Sequence, residues 1–267
     1  MCPCGNLTKF DKYACKTIII LPHTRIAGLE ERVTRKSILL LVFSIAALAT
    51  TFGGCAGTTT PAPITASEII ASSSEQMQSI DSFHFELEQE GGGTPIAMGL
   101  EMTSAVGDVA RPDKLQTTIS GTVAGMFIEV QIINIGEDIY MTNPLSHKWE
   151  LLPAQFSILK VFNVNTGIGA VIKGIKDLAR LDDGEVDGVP CYHLSGSIES
   201  ETLRPITITS IEGASIPIQI WIGKDDFLPR SISLEGKITE AEAEGIVRTL
   251  TLSNFNAAVS IEAPSLG

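Results

Sequence analysis

The sequence predicts a mainly β domain with helices (α+β), built on an antiparallel sheet. Three observations support this fold class. Apolar and polar residues alternate in many short segments, turn residues separate these segments, and two further stretches have helical spacing. Alternation with a period of two places apolar side chains on one face of each strand. A sheet of such strands has one apolar face and one wet face, as antiparallel sheets commonly do.

The first 54 residues are predicted to be a leader that ends in a lipoprotein signal peptide. Arg35 and Lys36 are basic, residues 38–49 are apolar, and Gly54 precedes Cys55. An apolar core of about a dozen residues has the length of a signal peptide and is too short for a membrane span. In such signals the cysteine thiol receives a diacylglycerol and the chain is cut before it. The alternative is that Cys55 is a buried structural cysteine after an apolar helix.

The start of the chain does not fit a signal peptide. Residues 1–32 contain three cysteines and their own apolar patch, so we interpret them as a start assigned too early, with translation beginning at Val33. The pair Cys2 and Cys4 could instead be half of a metal site, but the leader has no following Cys/His pair with zinc spacing. Residues 55–63 are predicted to be the lipidated cysteine and a flexible tether, and residues 64–267 a single domain.

The charge of the mature chain excludes one class of partner. Without the seven Lys/Arg and three Asp/Glu of the leader, 12 basic and 28 acidic residues remain, a net charge of −16. Nucleic acid is therefore not expected as a partner, and attachment to anionic lipid through a basic patch is disfavoured. The mature part keeps Cys55 and Cys191, so an acylated Cys55 leaves no disulfide.

The first helix has a well-defined start. Thr65 and Glu68 have the spacing of a capping box, and Ile64 and Ile69 are placed for a hydrophobic staple. The helix is predicted to run to about Ser79. Its apolar positions are sparse, so it is expected on the outside of a larger structure.

Strands follow the first helix. Phe83, Phe85 and Leu87 alternate with polar residues, and a meander of antiparallel strands is expected through the first half of the domain. The further alternating segments of this half are 96–102, 115–123, 128–132, 139–141 and 148–151.

A helical insertion is predicted between residues 153 and 183, after which strands resume. Ile168, Val171, Ile172, Ile175 and Leu178 have the spacing of one amphipathic helix, and a shorter apolar piece with Phe156, Leu159 and Phe162 precedes it. The later strands are predicted at 216–222, 227–236 and 246–255, with a hairpin turn at 187–188.

Several motifs in this order resemble the LppX/LprG-type lipoproteins of the bacterial envelope. The resemblance implies a strongly curved antiparallel sheet, an incomplete β-barrel like that of the LolA/LolB lipoprotein carriers, with helices covering the concave face. It also implies a large apolar cavity that accepts acyl chains of lipids or glycolipids. The motifs are the signal ending at Cys55, residues 82–88, residues 107–114, Ile139 and Tyr140 with Trp149, residues 184–189 with Tyr192 and Gly196, and residues 218–224.

The predicted lipid-binding residues are apolar side chains of the sheet and of the helical cover. The alternative is that they interdigitate into a solid core, as most apolar faces do. From the sheet they are Phe83, Phe85, Leu87, Met98, Leu100, Ile119, Val130 and Ile132, and from the cover Ile168, Val171, Ile172 and Ile175.

Catalytic motifs are absent from the sequence, and neither a cofactor nor a metal is expected. There is no Gly-x-Ser-x-Gly elbow, His-Glu-x-x-His or phosphate loop. The sequence and the resemblance favour a non-enzymatic protein on the extracytoplasmic face of the cell membrane, anchored by lipid, that carries or presents lipids between membrane surfaces. A monomer is expected, and a membrane exporter is a candidate supplier of cargo. The alternatives are a sensor or adaptor on the same scaffold and a structural lipoprotein with a filled core.

Overall fold

A computed structural model describes residues 63–96, 99–154, 159–162, 167–204, 207 and 209–266. Residues Ala62–Gly267 group as one compact unit. The predicted signal peptide, Cys55 and the tether up to residue 62 lie outside the described residues, and so do Met98 and Phe156.

The described chain is dominated by one antiparallel sheet of 13 strands, which is not closed. The main path of the sheet has the order β7-β6-β5-β4-β3-β1-β13-β12-β11-β10-β8, with β2 paired to β3 and β9 paired to β10. The strands are β1 (Ser82–Glu90), β2 (Thr94–Pro95), β3 (Glu101–Ala110), β4 (Lys114–Val123), β5 (Met126–Ile135), β6 (Asp138–Thr142), β7 (Trp149–Leu152), β8 (Lys176–Arg180), β9 (Gly184–Val186), β10 (Val189–Glu199), β11 (Ser215–Gly223), β12 (Pro229–Glu235) and β13 (Val247–Ser253).

The predicted alternation is present in these strands. In β4, for example, Leu115, Thr117 and Ile119 are buried while the residues between them are half-buried. Buried apolar residues occur on one face of the sheet from β6, next to one end of the path, to β10, next to the other end. Eleven strands at ~4.8 Å spacing form a face about 50 Å wide, far wider than two helices of ~10 Å diameter can cover. The sheet therefore curves around its own apolar face.

Two helices and two short 3-10 helices accompany the sheet in the described part of the chain. They are α1 (Ala66–Gln78), α2 (Ile168–Gly174) and the 3-10 helices Leu159–Phe162 and Ser200–Leu203. Helix α1 contacts α2, and α2 contacts β10 and both 3-10 helices. The helical residues Ile69, Met77 and Ile172 belong to the same buried apolar cluster as the sheet face, so the helices pack on that face.

The predicted start of α1 is confirmed by its hydrogen bonds. The Glu68 backbone N–H donates to Thr65 Oγ1 at 3.3 Å, and the Thr65 backbone N–H donates to Glu68 Oε2 at 2.8 Å. The backbone hydrogen bond from Thr65 is the main cause that lowers the pKa of the Glu68 carboxyl, and the Thr65 hydroxyl adds to it. Both bonds satisfy N–H groups that a helix start leaves without partners.

Arg111 fixes the other end of α1 to the sheet. Its Nη1 donates to the carbonyl oxygens of Met77, at 2.8 Å, and Ile80, at 2.5 Å, in the last turn of the helix and just beyond it. The guanidinium also lies 5.8 Å from the ring centroid of Phe83 on β1. Burial lowers the pKa of Arg111. One side chain thus caps the carbonyl end of the helix and connects it to the apolar face.

Two sequence predictions of local structure are wrong. The helix predicted through Ile175 and Leu178 ends at Gly174, because Ile175 has an extended backbone (φ −66°, ψ 124°) and Leu178 lies in β8. The strand predicted over 96–102 is interrupted, because Gly99 has φ +74° and the Ile96 N–H donates to the Leu100 carbonyl. An apolar period over a few residues does not separate helix from strand when the chain changes type inside it.

Candidate functional site

The predicted lipid-binding residues come together on the apolar face. Those that the structure describes all belong to, or pack against, one apolar cluster that joins the sheet to α2. Leu87 is half-buried against the cluster, and Ile175 reaches it from the C-terminal cap of α2 instead of from within the helix. Met98 lies outside the described residues. Contact of these side chains with a lipid stays a prediction. The buried members are Phe83, Phe85, Leu100, Ile119, Val130, Ile132, Ile168, Val171, Ile172 and Ile175.

Phenylalanine rings join the helical insertion to the sheet. Phe162, from the first 3-10 helix, lies with its ring centroid 4.3 Å from that of Phe85 and 6.0 Å from that of Phe83. Phe255, just after β13, lies 6.4 Å from Phe83 on the other side. Tilted aromatic pairs at these distances are favourable beyond their buried area. The insertion therefore rests directly on the strand that carries the first predicted binding residues.

The predicted lipid-binding residues leave out a large part of the apolar cluster. The strands of the second half supply Leu194, Ile198, Ile218, Ile220 and Ile222, each of them almost completely buried. The alternation over 216–222 was already visible in the sequence and was a sufficient signal for β11. The predicted site was limited to strands of the first half and to the insertion, whereas the apolar face continues across β11 and β10.

Polar side chains on the inner face have their hydrogen bonds directed to the backbone. Thr117 is buried in β4, and its hydroxyl donates to the Val106 carbonyl at 2.9 Å. Asn134 is buried in β5, and its Nδ2 donates to the carbonyls of Gly136, at 3.0 Å, and Asp138, at 3.3 Å. Because these groups are satisfied within the sheet, the surface that the inner face offers to another molecule is mainly apolar.

A buried ion pair joins the connection between β12 and β13 to strand β13 itself. Glu242, between β12 and β13, and Arg248, on β13, have nearly inaccessible side chains and lie 2.5 Å apart between Oε1 and Nη2. The Glu242 carboxylate also accepts N–H bonds from Ile238, at 2.6 Å, and Thr239, at 3.0 Å. Thr94 lies 2.9 Å from Glu242 Oε1, and its hydroxyl accepts from Arg248 Nε at 3.2 Å. The network joins β2 to β13 and its partners are all internal, which indicates a structural role.

The histidines of the strands have ordinary strand partners. His84 Nδ1 lies 2.8 Å from Asp108 Oδ1 across β1 and β3, and Asp108 also accepts from Gln116 at 3.1 Å. His193 stacks on Trp221 with ring centroids 4.2 Å apart. Within the described residues, no group of three or more His, Cys, Asp or Glu side chains could hold a metal ion. In the same part of the chain, no helix is long and apolar enough to cross a membrane.

The comparison with known families is decisive for identity. A profile of the LppX_LprAFG lipoprotein family matches residues 65–261. The chain belongs to this family. The resemblance inferred from its motifs is thereby confirmed. No functionally curated protein matches the chain.

Solved structures agree with the predicted fold class. LprF from Mycobacterium bovis superposes with a TM-score of 0.61 at 19% identity, covering 76% of this chain and 97% of that one. LppX from Mycobacterium tuberculosis superposes with a TM-score of 0.54 at 18% identity, covering 73% and 96%. The predicted mainly β fold with an open antiparallel sheet is confirmed.

Proposed function

We propose that this family member is an envelope lipoprotein that binds acyl chains of a lipid or glycolipid between its sheet and helical cover, and carries or presents them between membrane surfaces. The observation that carries the proposal is the apolar cluster that joins the sheet face to α2. Membership of a lipoprotein family supports a role in lipid binding. The proposed attachment to the membrane depends on Cys55.

The energetics of lipid transfer explain why such a face is needed. A lipid that leaves a bilayer exposes its acyl chains to water at ~0.8 kcal/mol for each methylene. A chain of sixteen carbons therefore costs about 12 kcal/mol if it is left in water. A carrier has to replace the bilayer with a protein surface of comparable apolar area, which the inner face of a wide curved sheet provides.

The helical cover is the weakest part of the enclosure. Helix α2 has seven residues, from Ile168 to Gly174, and its N-cap residue Gly167 provides no side-chain hydrogen bond. Isolated helices shorter than about 12 residues are marginal in water, so α2 depends on its packing against the cluster. The strands of the sheet are paired with one another, whereas α2 is short. We therefore expect local opening to occur at the helical cover. Displacement of α2 would expose Ile168, Val171 and Ile172 together with the sheet face.

The test is mass spectrometry of lipid that co-purifies with the protein from an exporting bacterial host without detergent exchange. We expect a stoichiometric lipid in the unaltered protein and its loss in Ile172→Trp, because the larger ring fills the space between α2 and the sheet. Lys173→Trp is the matched control, since Lys173 is the neighbouring exposed residue of the same helix. Thermal unfolding of both variants shows whether each is folded.

The possible results separate the alternatives. Lipid retained by Lys173→Trp and lost from a folded Ile172→Trp supports binding under the cover. A folded, unaltered protein without lipid contradicts the proposal and favours a structural lipoprotein with a filled core. Binding of protein partners would then be measured next. A bound lipid that does not transfer between vesicles, together with a stable partner protein, favours the sensor or adaptor.

A further inference from the structure

Large apolar side chains are exposed at one rim of the sheet. We call Met126, Phe127, Leu145 and Leu151 the rim patch. Their exposed fractions are 64%, 71%, 87% and 56%, and they are four of the seven exposed large apolar residues in the described chain. Single exposed apolar residues are common, but a group of them marks a surface that another molecule covers.

Three residues of the rim patch, Met126, Phe127 and Leu145, line a cleft. The cleft has a volume of about 510 Å³ and lies between the tip of the β4–β5 hairpin and the loop that joins β6 to β7. Met126 and Phe127 line it from the hairpin, and Leu145, His147 and Trp149 line it from the loop and β7. Trp149 combines a large apolar ring with one N–H donor, which suits a boundary between water and an apolar phase.

The loop holds Leu145 in its exposed position by hydrogen bonds. Asn143 Oδ1 accepts from the backbone N–H groups of Leu145, at 3.0 Å, and Ser146, at 3.1 Å. Asn143 Nδ2 donates to Glu150 Oε1 at 2.9 Å, and the His147 N–H donates to the Asn143 carbonyl at 2.8 Å. An asparagine that binds the following backbone fixes a turn. The exposure of Leu145 is therefore a defined feature of the folded loop.

The hairpin tip is equally well defined. Ala124 and Gly125 have φ values of +50° and +78°, as the two central residues of a type I′ turn require. The strand that starts at this turn continues inward, where Ile128 packs against the apolar cluster and Val130 is part of it. Successive side chains of a strand alternate between faces, so Phe127 projects from the face opposite to Ile128 and Val130, at the tip of the hairpin.

The size and charge of the rim patch indicate what covers it. A stable protein interface uses about 20–30 residues on each side, whereas the cleft is lined by ten, in two projecting segments. Glu129 is the one acidic residue in that lining, although the mature chain carries a net charge of −16. A nearly neutral apolar projection on an acidic protein fits the neutral, apolar interface of a bilayer better than a charged partner.

We propose that the rim patch docks into the interfacial layer of a bilayer. This inference rests on the proposed function, because a protein that exchanges lipid has to contact the bilayer at an apolar surface. Attachment by the patch comes from burial of apolar side chains, so we expect it to change little with salt, unlike attachment through a basic patch.

The chain provides its own probe for the test, because Trp149 and Trp221 are its two tryptophans. The full chain, purified from the exporting host, is reconstituted on phosphatidylcholine vesicles whose acyl chains are brominated. The Trp221→Phe variant leaves Trp149 in the cleft as the single fluorophore, and we expect bromine to quench it. The matched control is Trp149→Phe, which leaves Trp221 on β11, and we expect its emission to stay unquenched.

The rim patch itself is tested by Phe127→Ser combined with Leu145→Ser in the Trp221→Phe background. Each removed side chain lowers the ratio of docked to undocked protein at least about tenfold, because large apolar side chains lose their burial. Leu181→Ser removes an exposed leucine elsewhere and serves as the control, with no change expected.

Three results would overturn the docking proposal. They are no quenching of Trp149, equal quenching of Trp149 and Trp221, and quenching of Trp149 that the serine variants leave unchanged. If Trp149 is shielded from acrylamide in water but not quenched by bromine, protein covers the patch and the bilayer is the wrong partner. Lipid measured by mass spectrometry in the same samples tests the proposed function separately, so docking without bound lipid and bound lipid without docking are distinguishable.

Discussion

Removal of Arg248 is expected to be among the most damaging single substitutions in the sheet. In Arg248→Met the apolar stem keeps its approximate volume, while the fully buried carboxylate of Glu242 loses its counter-charge. Breaking a buried pair by removing one partner costs about 3–5 kcal/mol, because the remaining charge is uncompensated. The change also removes the bond from Nη1 to the Gly236 carbonyl at 2.9 Å.

Denaturant unfolding of the full chain, followed by circular dichroism, measures this loss. The matched control is Lys237→Met, in the connection between β12 and β13 that also carries Glu242. Lys237 pairs at 3.9 Å and 3.4 Å with Glu240 and Glu244, which are largely exposed. Exposed ion pairs contribute about 0–1 kcal/mol, so the control should be nearly neutral. The free energy of unfolding of the double variant Arg248→Met with Glu242→Gln should fall by less than the sum of the decreases in the two single variants, because the two side chains are coupled.

The prediction is wrong if the free energy of unfolding falls no more in Arg248→Met than in Lys237→Met under the same conditions. That result would mean that water reaches the Glu242 carboxylate after the substitution. Strictly additive single losses in the double variant would refute the coupling in particular. Either result would place the stabilisation of this end of the sheet in its apolar packing alone.

Three further predictions follow from local contacts. Thr65→Ala should lower the free energy of unfolding by about 1 kcal/mol through loss of the N-cap, which thermal or denaturant unfolding measures, whereas Thr65→Ser should retain most of it. Hydrogen bonds from Lys224, then Arg180, hold the pKa of Asp183 below its ordinary value. Its stabilising contribution is therefore complete above the ordinary pKa of about 4 and is lost as the pH falls through the lowered value, so Asp183→Asn should flatten that part of a stability-against-pH profile. Burial raises the pKa of the Cys191 thiol, so peptide mass spectrometry should find it alkylated by iodoacetamide slowly in the folded protein and quickly after unfolding.

Each of these has an outcome that contradicts it. An unchanged midpoint in Thr65→Ala would mean that water caps the helix as well as threonine does. An unchanged acid limb in Asp183→Asn would mean that its two cationic partners are too exposed to matter. Rapid alkylation of Cys191 in the folded state would mean that the edge near β9 opens readily.

Features that depend on neighbouring residues were predictable from the sequence. The capping box at Thr65 and Glu68 needs a spacing of three residues, and the turn at Asp187 and Gly188 needs φ values above zero at both positions, which the structure has at +48° and +79°. Alternation likewise identified the buried face of most strands. Such signals are local, so one sequence is enough to read them.

Features that depend on distant partners were not predictable in the same way. Nothing near Glu242 in the sequence shows that Arg248 and Thr94 will surround it, because acidic residues in a turn are usually solvated. The end of α2 was predicted wrongly for a related reason. Ile175 and Leu178 have helical spacing in the sequence, but the pairing of β8 with the distant strand β10 ends the helix before them. Apolar alternation also cannot separate a filled core from a lipid-binding one.

The position of β1 determines when this domain can be completed. The strand lies between β3 and the last strand, β13, and its start is held by residues beyond that strand. The Asp81 N–H donates to Asn256 at 2.8 Å across 175 residues of sequence, and Ser82 donates to the Ala257 carbonyl at 2.6 Å. During synthesis from the amino terminus, β1 can therefore pair with β13 only after nearly the whole chain has been made. Such long-range pairing makes folding slow.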